Sequence, residues 1–103
     1  MNKRDFILSS VKNRIKKIDP KVRILLFGSR ARNNATENSD WDFLILTKLD
    51  VNRELKNKIS DELFETELET DEVLSGVVQN IDLWKQYAFT QFYQNVTNEG
   101  VEI

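Results

Sequence analysis

The chain contains no cysteine and no histidine. The first absence excludes disulfides, zinc–thiolate sites and a thiol nucleophile. The second removes Ser-His-Asp and Cys-His catalysis and leaves carboxylates and water for acid–base work. Any metal site must use oxygen ligands, which favours Mg²⁺, Mn²⁺ or Ca²⁺. No apolar run approaches the length that spans a bilayer. The polar start Met1-Asn2-Lys3-Arg4-Asp5 has no signal-peptide core. Lacking thiols and a targeting segment, the protein is expected in the cytoplasm. No repeat, linker or low-complexity stretch breaks the 103 residues. They are read as a single domain, 1–103, with one modest core.

Charge is present but unevenly placed. Residues 1–35 hold ten Lys/Arg against two Asp/Glu, and residues 36–103 hold five against fifteen. A positive first third can attract phosphates, nucleic acid or an acidic partner. Equally, it can be a solvated face that pairs with the acidic remainder.

Hydrophobic periodicity predicts the order α-β-β-α-β-α. Ile7, Val11, Ile15 and Ile18 fall at helical spacing over 3–18, and Pro20 ends that helix. Val22 to Phe27 is short and apolar, as a buried strand is. Gly28-Ser29 breaks it, Arg30-Ala31-Arg32 forms a helical turn, and 33–39 is a polar loop. Trp41 to Thr47 reads as a second strand, with Trp41, Phe43 and Ile45 on one face and Asp40, Asp42, Leu44 and Leu46 on the other. Asp50 is expected to cap a helix over 51–66, where Val51, Leu55, Ile59 and Leu63 recur every fourth residue. A third strand is expected over 68–79, placing Asp71, Val73, Ser75 and Val77 on one face. Trp84, Tyr87, Phe89, Phe92, Tyr93 and Val96 form an aromatic stripe of helical spacing, and Gly100 suits a C-cap. The stripe reads mainly as core, with part left for contact with another chain. The expected fold class is α/β (α+β): a small mixed sheet of three or more strands flanked by helices.

One constellation carries chemistry. Gly28-Ser29 follows an apolar strand, and after ten residues comes Asp40-Trp41-Asp42. A Gly-Ser turn alone is usually only a turn. Asp42 is harder to dismiss, because a carboxylate inside an apolar strand is costly unless paired or metal-bound. Two aspartates spaced i, i+2 on a strand point to the same side. Phosphoryl and nucleotidyl transfer need in-line positioning and charge cancellation, which carboxylates achieve through metal ions. A third carboxylate from a neighbouring strand would complete such a site. Asp71 is the candidate, with Glu69 as the fallback. Arg30 and Arg32 can pair with Glu37 or nearby acids. Arg32 is expected to contact phosphate instead.

Taken together, Gly28-Ser29-x₁₀-Asp40-x-Asp42 resembles the signature of the DNA polymerase β-like nucleotidyltransferases. The small chain is similar to their minimal nucleotidyltransferase branch, whose members occur beside partner proteins of the HEPN type. The resemblance spans about residues 22–78. It implies that Asp40 and Asp42 bind Mg²⁺ and carry catalysis; Asp71, the candidate from the residues themselves, is expected to complete a site for up to two ions. It implies that Gly28, Ser29 and Arg32 hold the phosphates of ATP or another nucleoside triphosphate. Some members act as antitoxins that transfer AMP from ATP to a tyrosine of a HEPN ribonuclease. Loop 33–36 departs from the pattern by lacking a glycine after the arginine, which changes how the loop turns. With no separate polynucleotide-binding region, the expected partners are a nucleoside triphosphate and a HEPN-type protein. Substrate selection would come from that partner or a homo-oligomeric surface. The alternative is a binding module that neutralises its partner without catalysis. Direct nucleic-acid binding through the positive third is the weakest reading, and it predicts a steep salt dependence.

Overall fold

The computed structural model describes residues 2–103. Helix α1 (Lys3–Ile18) leads into strand β1 (Arg23–Phe27), the one-turn helix α2 (Ser29–Arg32) and strand β2 (Trp41–Thr47). Helix α3 (Arg53–Thr70) crosses to strand β3 (Leu74–Asn80). A helical turn α4 (Ile81–Trp84), a 3₁₀ turn (Lys85–Tyr87), helix α5 (Gln91–Glu99) and the two-residue strand β4 (Val101–Glu102) follow. The expected α-β-β-α-β-α order survives as the skeleton of this mixed α+β fold.

The strands lie in the order β3-β2-β1-β4. β1 runs antiparallel to both β2 and β4, while β2 and β3 are parallel and joined through α3. Both faces of β2 are covered, so Phe43, Leu44, Ile45 and Leu46 are all buried. That explains why its sequence is a nearly continuous apolar run rather than a clean alternation. One face of the sheet, carrying Ile24, Leu26, Phe43 and Ile45, packs under α1 and α3 through Ile7, Val11, Ile15, Leu55, Ile59 and Leu63. The other carries Leu44 and Leu46, covered by Trp84 and Val96.

Several boundaries differ from the sequence expectation. Asn52, not Asp50, caps α3, its side chain accepting from the Leu55 N–H at 2.9 Å. α3 then runs to Thr70 because its buried face continues through Thr66, whose hydroxyl meets that of Ser10 on α1 at 2.8 Å. Residues 68–70 are therefore helix rather than strand. Asp71 closes the helix in the left-handed region, φ 59°, its N–H bonded to the Glu67 carbonyl. The aromatic stripe is not one helix. Asn80 caps α4 by accepting from the Asp82 and Leu83 N–H groups, and Thr90 caps α5. Gly100 does follow α5, at an ordinary φ of −66°.

The charge asymmetry resolves in part into pairing. Six of the seven ion pairs among the described residues join the basic first third to the acidic remainder: Lys3–Glu72, Arg14–Glu62, Arg14–Glu69, Arg23–Glu102, Arg30–Glu72 and Arg32–Glu99. These pairs engage five of the ten cations that nucleic-acid binding would have used. No helix among the described residues is long and apolar enough to cross a membrane.

Candidate active site

The β1–β2 register sets the site. Phe27, the last residue of β1, lies opposite Asp42, and Ser75 of β3 lies beside Asp42 on the other flank. Paired residues point to the same face, so Phe27, Asp42 and Ser75 form one row. Gly28 follows Phe27 at φ 77°, a conformation that suits glycine. A methyl group at Gly28 would lie 2.6 Å from Oδ2 of Asp42. The turn and the carboxylate are thus in direct apposition. The Gly28 carbonyl accepts from the Ala31 and Arg32 N–H groups at 3.0 and 3.2 Å, starting α2 at Ser29. Asn33 ends that turn at φ 61°. Asparagine tolerates this region better than most residues, so the chain turns here without the glycine.

Asp40 is exposed and Asp42 half-buried. Burial raises the Asp42 carboxyl above the usual aspartate range, and the nearby Asp40 charge adds to the shift. No ion pair among the described residues engages either group. Two crowded hard-oxygen anions of this kind match the donor set of Mg²⁺.

Arg30 has a role the sequence did not reveal. Its guanidinium stacks over the Trp41 ring at 4.5 Å and donates twice to the Ser39 carbonyl, at 3.3 and 2.9 Å. Ser39 precedes Asp40, so Arg30 fixes the backbone that delivers the carboxylate pair. Trp41 is on the covered face, which places Arg30 behind the site. Arg32 instead binds Glu99 at the end of α5, at 3.0 Å.

Neither carboxylate expected to join the pair lies on the third strand. Asp71 terminates α3 and lies outside β3. Glu69 pairs with Arg14 on α1. Among the described residues no three acidic side chains gather to hold a metal. The place beside Asp42 on the neighbouring strand belongs to Ser75.

Comparisons with known proteins agree with this architecture. A model of the nucleotidyltransferase domain matches residues 8–101. Two proteins of Methanocaldococcus jannaschii have names that propose protein adenylyltransferase activity. One is 36% identical over 81 residues, covering 79% of this chain and 77% of its own length. The other is 33% identical over 92 residues, covering 89% and 81%. Among solved structures, a chain of the MntA–HpeT toxin–antitoxin pair superimposes with a TM-score of 0.57 at 18% identity. That match covers 99% of this chain and 71% of the other, and comes from a variant in which two aspartates two positions apart are glutamate. At that identity it speaks to the fold.

Proposed function

The chain belongs to the nucleotidyltransferase domain family, and from that premise we propose that it transfers AMP from ATP to a hydroxyl of a partner protein. The observation that carries the reading is the apposition of Asp42 to Gly28, with Asp40 adjacent. It sets a carboxylate pair against a turn whose backbone is open to phosphate.

Asp40 and Asp42 would hold Mg²⁺, which when bound offsets the triphosphate charge and makes the attacking hydroxyl more acidic. The backbone at Gly28 and Ser29 would take the outer phosphates, and the Ser29 hydroxyl would add a donor. Arg32 would join them on leaving Glu99. The acceptor oxygen then bonds to the α-phosphorus as the α–β bridging P–O bond breaks. Pyrophosphate departs and the hydroxyl proton passes to solvent or to the partner. The protein's contribution is alignment and electrostatics, the main levers in this chemistry. The adenylyltransferase names of the relatives and the toxin–antitoxin source of the structural neighbour support a protein acceptor. By resemblance, that acceptor is a tyrosine of a HEPN-type toxin.

Ser75 favours a second reading. With a hydroxyl where a third carboxylate would stand, the domain would bind nucleotide or partner without turnover and neutralise the partner by complex formation. Incubation of the chain with a HEPN-type partner, Mg²⁺ and ATP separates the two. Label from α-labelled ATP should appear on the partner, label from γ-labelled ATP should not, and Asp42→Asn should abolish the transfer. A stable complex with no labelling would establish the second reading in place of the first.

A further inference from the structure

We infer that Phe92 is a stacking shelf for the nucleobase of the substrate, a deepening that rests on the nucleotide site proposed above. The row Phe27–Asp42–Ser75 crosses the less covered end of the sheet face that carries Leu44 and Leu46, and Phe27 directly precedes the Gly28-Ser29 turn. Phe92, near the start of α5, sets its ring edge-to-face on Phe27, with centroids 5.4 Å apart and planes at 80°. It contacts Trp84 in the same manner at 5.6 Å and 83°. Two such contacts at steep angles fix the orientation of the ring. Even so, Phe92 remains 39% exposed.

Core packing accounts for the covered part of Phe92 and leaves the rest unexplained. Its ring partner Phe27 is the strand neighbour of Asp42, the carboxylate that faces the phosphate turn. A nucleotide whose phosphates lie at Gly28 and Ser29 must send its ribose and base away from that turn. On the Phe27 side the surface it meets is aromatic. A rigid ring that already has two packing partners offers a π-face at little further entropic loss. Stacking of this kind tolerates every base and favours those with a larger ring system. It supplies affinity for ATP or GTP over CTP or UTP without a hydrogen-bonding pocket.

The test is calorimetric titration of the chain with Mg²⁺-ATP and with Mg²⁺-tripolyphosphate, which carries the phosphates and no base. The wild-type chain should bind ATP more tightly. Phe92→Leu should weaken ATP about tenfold and change tripolyphosphate by less than twofold. Phe92→Trp should preserve the ATP advantage. Equal weakening of both ligands would reduce Phe92 to a packing residue and overturn the shelf. No change in either ligand would overturn it while leaving the nucleotide site standing. Binding of neither ligand by the wild-type chain would remove the nucleotide site and the shelf together. Should the variants fail to fold, nuclear Overhauser contacts between adenine protons and the Phe92 ring in the wild-type complex decide the matter. Their presence supports the shelf and their absence overturns it.

Discussion

The two faces of the sheet are built to different ends. The face under α1 and α3 is closed, apolar and fully packed, with Ile24, Leu26, Phe43 and Ile45 at most 1% exposed. The other is covered over Leu44 and Leu46 but open at the row of Asp42, where a carboxylate with a raised pKa meets a glycine at positive φ. One strand serves both. Within β2, Phe43 anchors the fold, and its neighbour Asp42, pointing the other way, is held at a disadvantage. Stability and chemistry are thus divided by the pleat, residue by residue.

The sharpest way to break this division is on the closed face. Phe43→Ala should cost about 3–5 kcal/mol, a large part of the 5–15 kcal/mol typical of a small domain. Urea denaturation should show the midpoint collapse. A mild effect would mean that the covered face is not the main source of stability.

On the open face the sign should reverse. Because burial and Asp40 raise the Asp42 pKa, its charged form is disfavoured in the folded state. Its contribution is fully favourable only below the unfolded pKa and is lost as pH rises through the folded one. Asp42→Asn should therefore raise the melting temperature at neutral pH, and the gain should vanish below the carboxylate range. The same substitution should abolish Mg²⁺-dependent ATP binding. Destabilisation at neutral pH would place Asp42 among the structural residues instead.

A smaller effect concerns the ion pair that occupies Arg32. Its partners are 43% and 37% exposed, so the pair contributes at most about 1 kcal/mol. Glu99→Gln should free the guanidinium and tighten tripolyphosphate binding by about two- to fivefold, read by titration at low salt. Unchanged affinity would take Arg32 out of the phosphate site. The smallest effect belongs to Asp71. Glycine suits its φ of 59° better, so Asp71→Gly should stabilise the chain by up to about 1 kcal/mol and leave AMP transfer intact. Loss of transfer would return Asp71 to the active site.

Much of the fold was legible because its elements are marked locally. β1 and β2 are apolar runs ended by Gly28-Ser29 and by a polar loop, and α1 keeps its spacing up to Pro20. The end of α3 was hidden because its buried stripe changes from Leu63 to Thr66, a polar side chain made compatible with the core by Ser10 some 56 residues away in sequence. Two-residue β4 has no pattern of its own and exists through its pairing with β1. At the candidate site the facing of Asp40 and Asp42 follows from strand period alone. What sequence could not show was relative register and distant pairing. Ser75 takes its place from the β2–β3 alignment, and Glu99 reaches Arg32 across 67 residues. Arg30 was ambiguous for the same reason, since its work depends on the Trp41 ring and on a carbonyl nine residues later.

The apposition of Gly28 and Asp42 also limits how the sequence can drift. The room at position 28 is set by the length and rotamer of the side chain at 42. A larger residue at 28 displaces the carboxylate, whereas a shorter one at 42 gives up the anion that the glycine leaves room for. The two positions therefore constrain each other, and a substitution at either disturbs the use made of the other.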